Sequence, residues 1–381
     1  RRPAFVASMT SPVDKLLFTP GPLTTSMSVR QAMLRDLGSR DAEFIALQKN
    51  IRSHVLRVAG VSEADFACVP MQGSGTFGVE ATLMTSSPPN GHVLVLSNGA
   101  YGDRLIMMCQ RNKIEHSAVQ IKWSETFDLA AVEEKVKSIP NLTNLFMVHH
   151  ETTAGILNPV NQVAALLQKH RPGQVSMTVD AMSSFGAIPL DMTGIDYVVS
   201  SANKCIPGVP GFSFVVARKS ALMTTKGNAR CLSLDVFDQW DALEKTSQFR
   251  FTPPCHAMLA FNQALKELDE EGGPLARGRR FAENQKIISE GLRALGFKLY
   301  IADEIQGPII TMFMYPADPN FKFEQFYDAL ASKGFAIYGG KFPGLDCFRV
   351  GNIGHIFQED CRRFVAATAE VVKELGISMG V

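Results

Sequence analysis

Charge of one sign, paired cysteines and long apolar runs are what this sequence lacks, and each absence closes off a class of function. Lysine and arginine number 38 against 37 acidic residues, a formal net charge of +1. A chain so balanced has no bulk field with which to hold nucleic acid or an anionic membrane surface. The seven cysteines (Cys68, Cys109, Cys205, Cys231, Cys255, Cys347, Cys361) are odd in number and include no CxxC pair. They read as small buried hydrophobes in a reducing compartment, neither a disulfide framework nor a zinc site. No apolar run approaches the ~18 residues a membrane span requires. No internal repeat and no low-complexity segment is present. What remains is 381 residues, 46% apolar and 20% charged, the composition of a globular protein too long for a single hydrophobic core.

Two units are therefore expected, a larger one over residues 16 to 272 and a smaller C-terminal one over 273 to 381, divided at Gly272-Gly273. Residues 1 to 15 read as an arm or linker, with Arg1-Arg2-Pro3 at the start and no acid before Asp14. If that basic arm is the remnant of a targeting segment, the mitochondrial matrix is the expected compartment; otherwise it is the cytoplasm.

Short apolar strands alternate with helical stretches through the larger unit, the signature of parallel β-α units whose ligands gather at the carboxyl ends of the strands. A helical pattern covers residues 28 to 60, and strands are expected near 67 to 69, 92 to 96, 144 to 148, 175 to 179, 197 to 199 and 212 to 217. The first strand feeds QGSGTFGVE, a literal GxGxxG formed by Gly73, Gly75 and Gly78. Such a turn points backbone N–H groups and a helix N-terminus at one spot, an anion site to which Ser74 and Thr76 add hydroxyls. A dinucleotide site would need an acid at the end of the next strand to hold a ribose. That strand ends instead in Ser97-Asn98-Gly99-Ala100-Tyr101, so a single phosphate and a flat ring suit the site better. Two further strands end in polar clusters, His149-His150-Glu151-Thr152-Thr153 and Asp180-Ala181-Met182-Ser183-Ser184. The histidine pair does not make a metal site, because only His149 and Glu151 share a strand face and no third ligand stands at useful spacing.

Upstream of these, Pro20-Gly21-Pro22 is a rigid turn that leaves Leu23, Thr24 and Thr25 with unpaired backbone groups; it is a linker into the next helix or a loop lining a substrate site, with Gly21 and Thr24 the candidate contacts. The strand near 197 to 199 runs through two serines into Lys204, and Pro207, Gly208, Pro210 and Gly211 then forbid a helix. No acid follows Lys204 within ten residues. Taken alone it is a solvated loop lysine, or an amine whose pKa is lowered by burial as Schiff-base chemistry requires.

The neighbours at the strand ends favour the second reading, because together they match what pyridoxal 5'-phosphate asks of a protein: a phosphate cradle (Gly73, Ser74, Gly75, Thr76), an amine (Lys204), a carboxylate for the ring nitrogen (Asp180), a ring to stack (Tyr101) and a hydroxyl for the phenolic oxygen (Thr152 or Thr153). Arg349, after a late strand, is the natural clamp for an anionic substrate.

The segments TPGPLTTS, QGSGTFGVE, LSNGAYG, ETTAG, VDAMSSFG, SSANKCIPGVPGF, FRFTPPCH and CFRVGNIG together resemble the 2-aminoethylphosphonate:pyruvate aminotransferases, fold type I pyridoxal-phosphate enzymes of the alanine:glyoxylate aminotransferase branch. The resemblance implies an α/β fold, a large domain with a mostly parallel sheet sandwiched by helices and a smaller C-terminal α+β domain. It implies that Lys204 carries the cofactor, that Asp180 meets the pyridinium nitrogen, and that Tyr101 lies on the ring. Ser74, Gly75 and Thr76 would hold the phosphate with Thr252 of a second subunit, making a homodimer, and Arg349 would bind pyruvate or alanine and the phosphonate in turn. Gly339-Gly340-Lys341-Phe342-Pro343 departs from the family's wording, so no role is assigned to Lys341. An alanine- or serine:glyoxylate aminotransferase and, more distantly, a nicotinamide dehydrogenase are the alternative readings.

Overall fold

The computed structural model describes residues 14 to 340 and 344 to 379. Most of the N-terminal arm and Lys341 lie outside those residues. The chain begins with β1 (Leu16–Leu17), α1 (Met27–Ala32) and α2 (Ala42–Val58). Three strand-helix units follow: β2 (Phe66–Gln72) with α3 (Gly75–Ser86), β3 (His92–Ser97) with α4 (Ala100–Arg111), and β4 (Glu115–Gln120) with α5 (Leu129–Ser138). β5 (Leu142–Val148) runs into a small hairpin of β6 (His150–Glu151) and β7 (Ile156–Leu157), and α6 (Val160–His170) leads to β8 (Ser176–Asp180), β9 (Tyr197–Ser201) and β10 (Phe212–Arg218). The short α7 (Lys219–Leu222), α8 (Val236–Thr246) and α9 (Cys255–Glu270) close the larger unit.

Seven strands form one sheet in the order β2-β10-β9-β8-β5-β3-β4. β10 runs antiparallel to both its neighbours, while β9-β8, β8-β5, β5-β3 and β3-β4 are parallel. All but the partly exposed edge strand β4 are buried on both faces, which is why they read as continuous apolar runs rather than alternating ones. Alternate residues still serve different layers. Leu145 and Met147 of β5, Val198 of β9 and Val216 of β10 join the core beneath α2, α6 and α9. Phe146 and Val148, Val199 and Val215 join the core beneath α3, α4 and α8. The parallel register then brings the ends of β5, β8 and β9 level, with Val148 opposite Asp180 and Asp180 opposite Val199.

The second unit contains α10 (Gly273–Ala294), β11 (Ile310–Met314), α11 (Phe323–Ser332), β12 (Phe335–Ala336), β13 (Tyr338–Gly339), β14 (Cys347–Gly351) and α12 (Gln358–Glu374). β11, β14 and β13 form an antiparallel sheet over a core rich in phenylalanine. Residues 16 to 18, expected with the larger unit, associate with this one instead. β1 pairs in parallel with β12, and Phe18 stacks on Phe364 with ring centroids 4.5 Å apart. The helical pattern expected over residues 28 to 60 is two helices, parted where the Asp41 carboxylate accepts the Gly38 amide at 3.0 Å before α2 begins. Residues 298 to 301 add only a bridge between Leu299 and Phe313, flanked by two backbone hydrogen bonds to β11.

At the junction of the units, Glu271 accepts hydrogen bonds from Arg277 and Arg280. Arg277 also donates to the Cys205 carbonyl at 2.9 Å, and Arg280 donates to the carbonyls of Gly354 and Ile356. The loop that carries Lys204 is thereby tied to the start of α10.

Candidate active site

Five strand ends meet in a cavity of about 230 Å³ whose wall includes Ser74, Gly75, Thr76, Tyr101, Thr152, Asp180 and Lys204. Each comes from a different piece of local structure, and each position has a physical cause.

Asp180 is the last residue of β8, buried, with one carboxylate oxygen accepting the Met182 amide at 2.9 Å. Burial pushes its carboxyl up to about 6, against the opposing pull of that hydrogen bond and of the Arg104 and Lys204 charges. Lys204 follows β9 by three residues, held in a bend by the Asn203–Pro207 bridge and by Cys205, which is buried and donates to the Ser183 carbonyl. The Lys204 amine donates to the Pro20 carbonyl, so the Pro20-Gly21-Pro22 turn closes over it. Gly21 has φ +133°, and a Cβ there would lie 2.7 Å from Lys204 Nζ. Gly21→Ala therefore both strains the backbone and displaces the amine. It is expected to lower kcat/KM by about tenfold or more, from ~1–3 kcal/mol of local strain alone, as steady-state rates would show. Thr24 does not reach the cavity wall. Its hydroxyl accepts the Leu17 amide at 2.8 Å and its carbonyl accepts from His355, which fixes the turn to β1.

The anion loop leaves β2 and enters α3 with Ser74 at the N-cap position. The amides of Gly75 and Thr76, in the first turn, have no intrahelical acceptor. Gly75 is required by close approach: a Cβ would lie 2.2 Å from the Met182 sulfur, and Met182 forms part of the cavity floor. Gly73, with φ +99°, faces a neighbouring groove rather than the cavity. Tyr101 stands in the first turn of α4 with the Arg104 guanidinium 4.8 Å from its ring centroid.

Of the two threonines after β6, Thr152 lines the cavity. Thr153 donates its hydroxyl to Glu151 and accepts the Ala100 amide at 2.9 Å, so it braces the Tyr101 helix from behind. Glu151 is wholly buried, its carboxyl pushed up to about 7 by burial. His149 and His150 bond to Ser184 and Ser183 and are held neutral by burial, at about 4 and about 3. No cluster of three metal-ligating side chains exists among the described residues.

Arg349 stands just behind Thr152. It is buried in β14 and donates to the Gly339 carbonyl at 3.3 Å and the Thr152 carbonyl at 3.4 Å, with no carboxylate in ion-pair contact among the described residues. A buried guanidinium paired only with carbonyls retains its capacity for an anion. Thr252 is exposed on the outer surface, its carbonyl accepting from Gln72, and contributes nothing to this cavity within one protomer.

The residues fit pyridoxal phosphate on grounds of shape and donor set: a helix N-terminus with open amides, a space kept clear by Gly21 and Gly75, an amine, and a buried carboxylate facing it across one cavity. Sequence reasoning missed Arg104, Met182 and His150 in the same wall. Arg104 had a signal, since a residue three positions after Tyr101 on a helix shares its face.

The model for class-V aminotransferases matches residues 25–347. The chain is 45% identical over 362 residues to the 2-aminoethylphosphonate–pyruvate transaminase of Phocaeicola vulgatus, covering 94% of this chain and 99% of that protein. It is 44% identical over 364 residues to the enzyme of the same name from Syntrophobacter fumaroxidans, covering 95% and 97%. In structure it is similar to pyridoxamine–pyruvate aminotransferase from Mesorhizobium loti, with a TM-score of 0.86, 24% identity and coverage of 96% and 94%. It is likewise similar to alanine–glyoxylate aminotransferase from Nostoc sp., with a TM-score of 0.85, 24% identity and coverage of 96% and 97%. This chain belongs to the class-V aminotransferases and, within them, to the family of the 2-aminoethylphosphonate–pyruvate transaminases.

Proposed function

We propose that this protein is a pyridoxal-phosphate-dependent aminotransferase that passes the amine of 2-aminoethylphosphonate to pyruvate, releasing phosphonoacetaldehyde and L-alanine. The observation that carries the reading is identity of 44–46% to transaminases of that name along nearly the whole chain. The arrangement of Lys204, Asp180 and the α3 N-terminus in one cavity supports it.

When bound, the cofactor supplies a carbonyl carbon for amine exchange and a ring into which the electrons of a broken C–H bond spread. Lys204 would hold the cofactor through its amine, and its Nζ would serve as the base that takes the proton from the amine-bearing carbon of the substrate. Asp180 holds a proton on the ring nitrogen. Ser74, Gly75 and Thr76 would hold the phosphate, Tyr101 would bind the ring, and Thr152 would serve the phenolic oxygen. Arg349 holds the phosphonate in the first half-reaction and the pyruvate carboxylate in the second, which lets one site serve two anions in alternation. Arg349→Gln is expected to raise KM for 2-aminoethylphosphonate by about 10²-fold, as removal of one member of a desolvated charge pair does, while cofactor uptake stays unchanged. Titrations of rate against each substrate check this.

A second copy of the chain completes the site. Phe77 is 51% exposed, Phe251 47% and Leu232 73%. Phe77 and Phe251 border a groove of about 370 Å³ beside Gly73, next to Thr252. So large an apolar surface beside the anion loop suits burial against a partner that brings its own Thr252 to the phosphate. Light scattering should give twice the mass of one chain; a monomer at micromolar concentration would refute the shared site. No helix among the described residues is long and apolar enough to cross a membrane, and a cytoplasmic location is our reading.

The function is tested by following phosphonoacetaldehyde formation from 2-aminoethylphosphonate with pyruvate or glyoxylate as acceptor, beside alanine with glyoxylate. Turnover should require 2-aminoethylphosphonate and favour pyruvate. A faster alanine–glyoxylate reaction would replace this reading with the alternative of the same branch.

A further inference from the structure

Arg104 has no part in the assignments above, yet it lies in the wall of the same cavity as Ser74, Thr76 and Lys204. Among the described residues its guanidinium makes a single hydrogen bond, Nη1 donating to Thr76 Oγ1 at 3.1 Å, and it packs over the Tyr101 ring 4.8 Å from the centroid. No carboxylate forms an ion pair with it among the described residues. Two consequences follow from chemistry alone. Because the Thr76 oxygen accepts from Arg104, the Thr76 hydroxyl hydrogen is left to be donated elsewhere, and no acceptor among the described residues takes it. Moreover, Thr76 sits in the first turn of α3, where the helix already presents partial positive charge. A full positive charge beside that terminus is unfavourable by itself and becomes favourable when an anion lies between the two.

We propose that Arg104 is a positioning residue for the phosphate end of the cofactor, turning the Thr76 hydroxyl into a donor for the anion. The inference rests on the reading of this cavity as a pyridoxal-phosphate site. It assigns Arg104 a role that depends on the phosphate group and not on the ring or the aldehyde.

The test compares two ligands that differ only in that group. Cofactor-free wild type, Arg104→Met, Arg104→Lys, Thr76→Val and the Arg104→Met/Thr76→Val double variant are titrated with pyridoxal 5'-phosphate and with pyridoxal, following the absorbance of the bound chromophore. Arg104→Met should weaken pyridoxal 5'-phosphate by about tenfold or more, the usual loss for a charge-assisted contact, and pyridoxal by less than about twofold. Arg104→Lys, which keeps the charge, should fall between wild type and Arg104→Met. If Arg104 acts through Thr76, the double variant binds no worse than the weaker single one. Equal weakening of both ligands, or unchanged binding of the phosphorylated one, would overturn the proposal and leave Arg104 a packing residue. Wild type that binds both ligands with equal affinity would overturn the reading of the site itself, and the proposal with it.

Discussion

Lys204→Ala is expected to lower transamination by about 10⁴-fold or more, the combined loss of covalent attachment and of a general base that alone contributes about 10²–10⁴. The fold should survive. Lys204 is only half-buried, and its contact with the Pro20 carbonyl is one hydrogen bond at the edge of a loop held independently by the Arg277–Cys205 bond and the Asn203–Pro207 bridge. The variant should still take up pyridoxal phosphate, weakly, through the α3 N-terminus and Asp180. A small exogenous amine should restore part of the proton transfer, since the missing side chain leaves room for one beside Gly21. Full wild-type rates in the variant would remove the amine from the mechanism.

Asp180→Asn should be nearly as severe, lowering kcat by about 10²–10⁴ because one member of a desolvated charge pair is lost, at a cost of ~3–5 kcal/mol. The carboxylate is the buried anion at the cavity's end, and an amide of the same shape cannot hold a proton on the ring nitrogen. The same residue gives the wild type a pH signature. Burial raises the Asp180 carboxyl from 3.8 to about 6, so it is ionised above that pH and takes up a proton below it. The raised value also means that the cofactor-free fold is favoured by the protonated form: this contribution is full below about 4 and is lost as pH rises through about 6. Cofactor affinity runs the opposite way, intact above about pH 6 and falling by about tenfold per unit below it. A titration of cofactor binding between pH 5 and 8 checks both the direction and the midpoint, and Asp180→Asn should flatten it.

The strand ends were legible because a parallel sheet buried on both faces writes each strand as an apolar run followed at once by the polar residues of its loop. Asp180, Lys204, Tyr101 and Ser74 to Thr76, which line one cavity, all stand at that punctuation. The choice between Thr152 and Thr153 was not legible, since it depends on which hydroxyl Glu151 captures, a contact set by the packing of the hairpin against α4. Arg104 was passed over because its one signal, sharing a helix face with Tyr101, does not say where its guanidinium ends. The association of β1 with β12 joins residues more than three hundred positions apart through two residues of pairing, too little pattern for a sequence to display. α8 shows no clear helical stripe in the sequence, because its buried side chains Val236, Phe237, Gln239 and Leu243 interleave with charged neighbours and include a polar one. Thr252 lies on the outer surface of the chain that carries it, so its assignment depends on a second molecule.

The central claim is that the amine of Lys204 carries the cofactor. Borohydride treatment of the cofactor-loaded protein, followed by digestion and mass analysis, tests it most directly. The yellow colour should be lost and a phosphopyridoxyl group should appear on the peptide containing Lys204, absent from Lys204→Ala. A label on any other lysine, or a wild type that takes up no label, would contradict it.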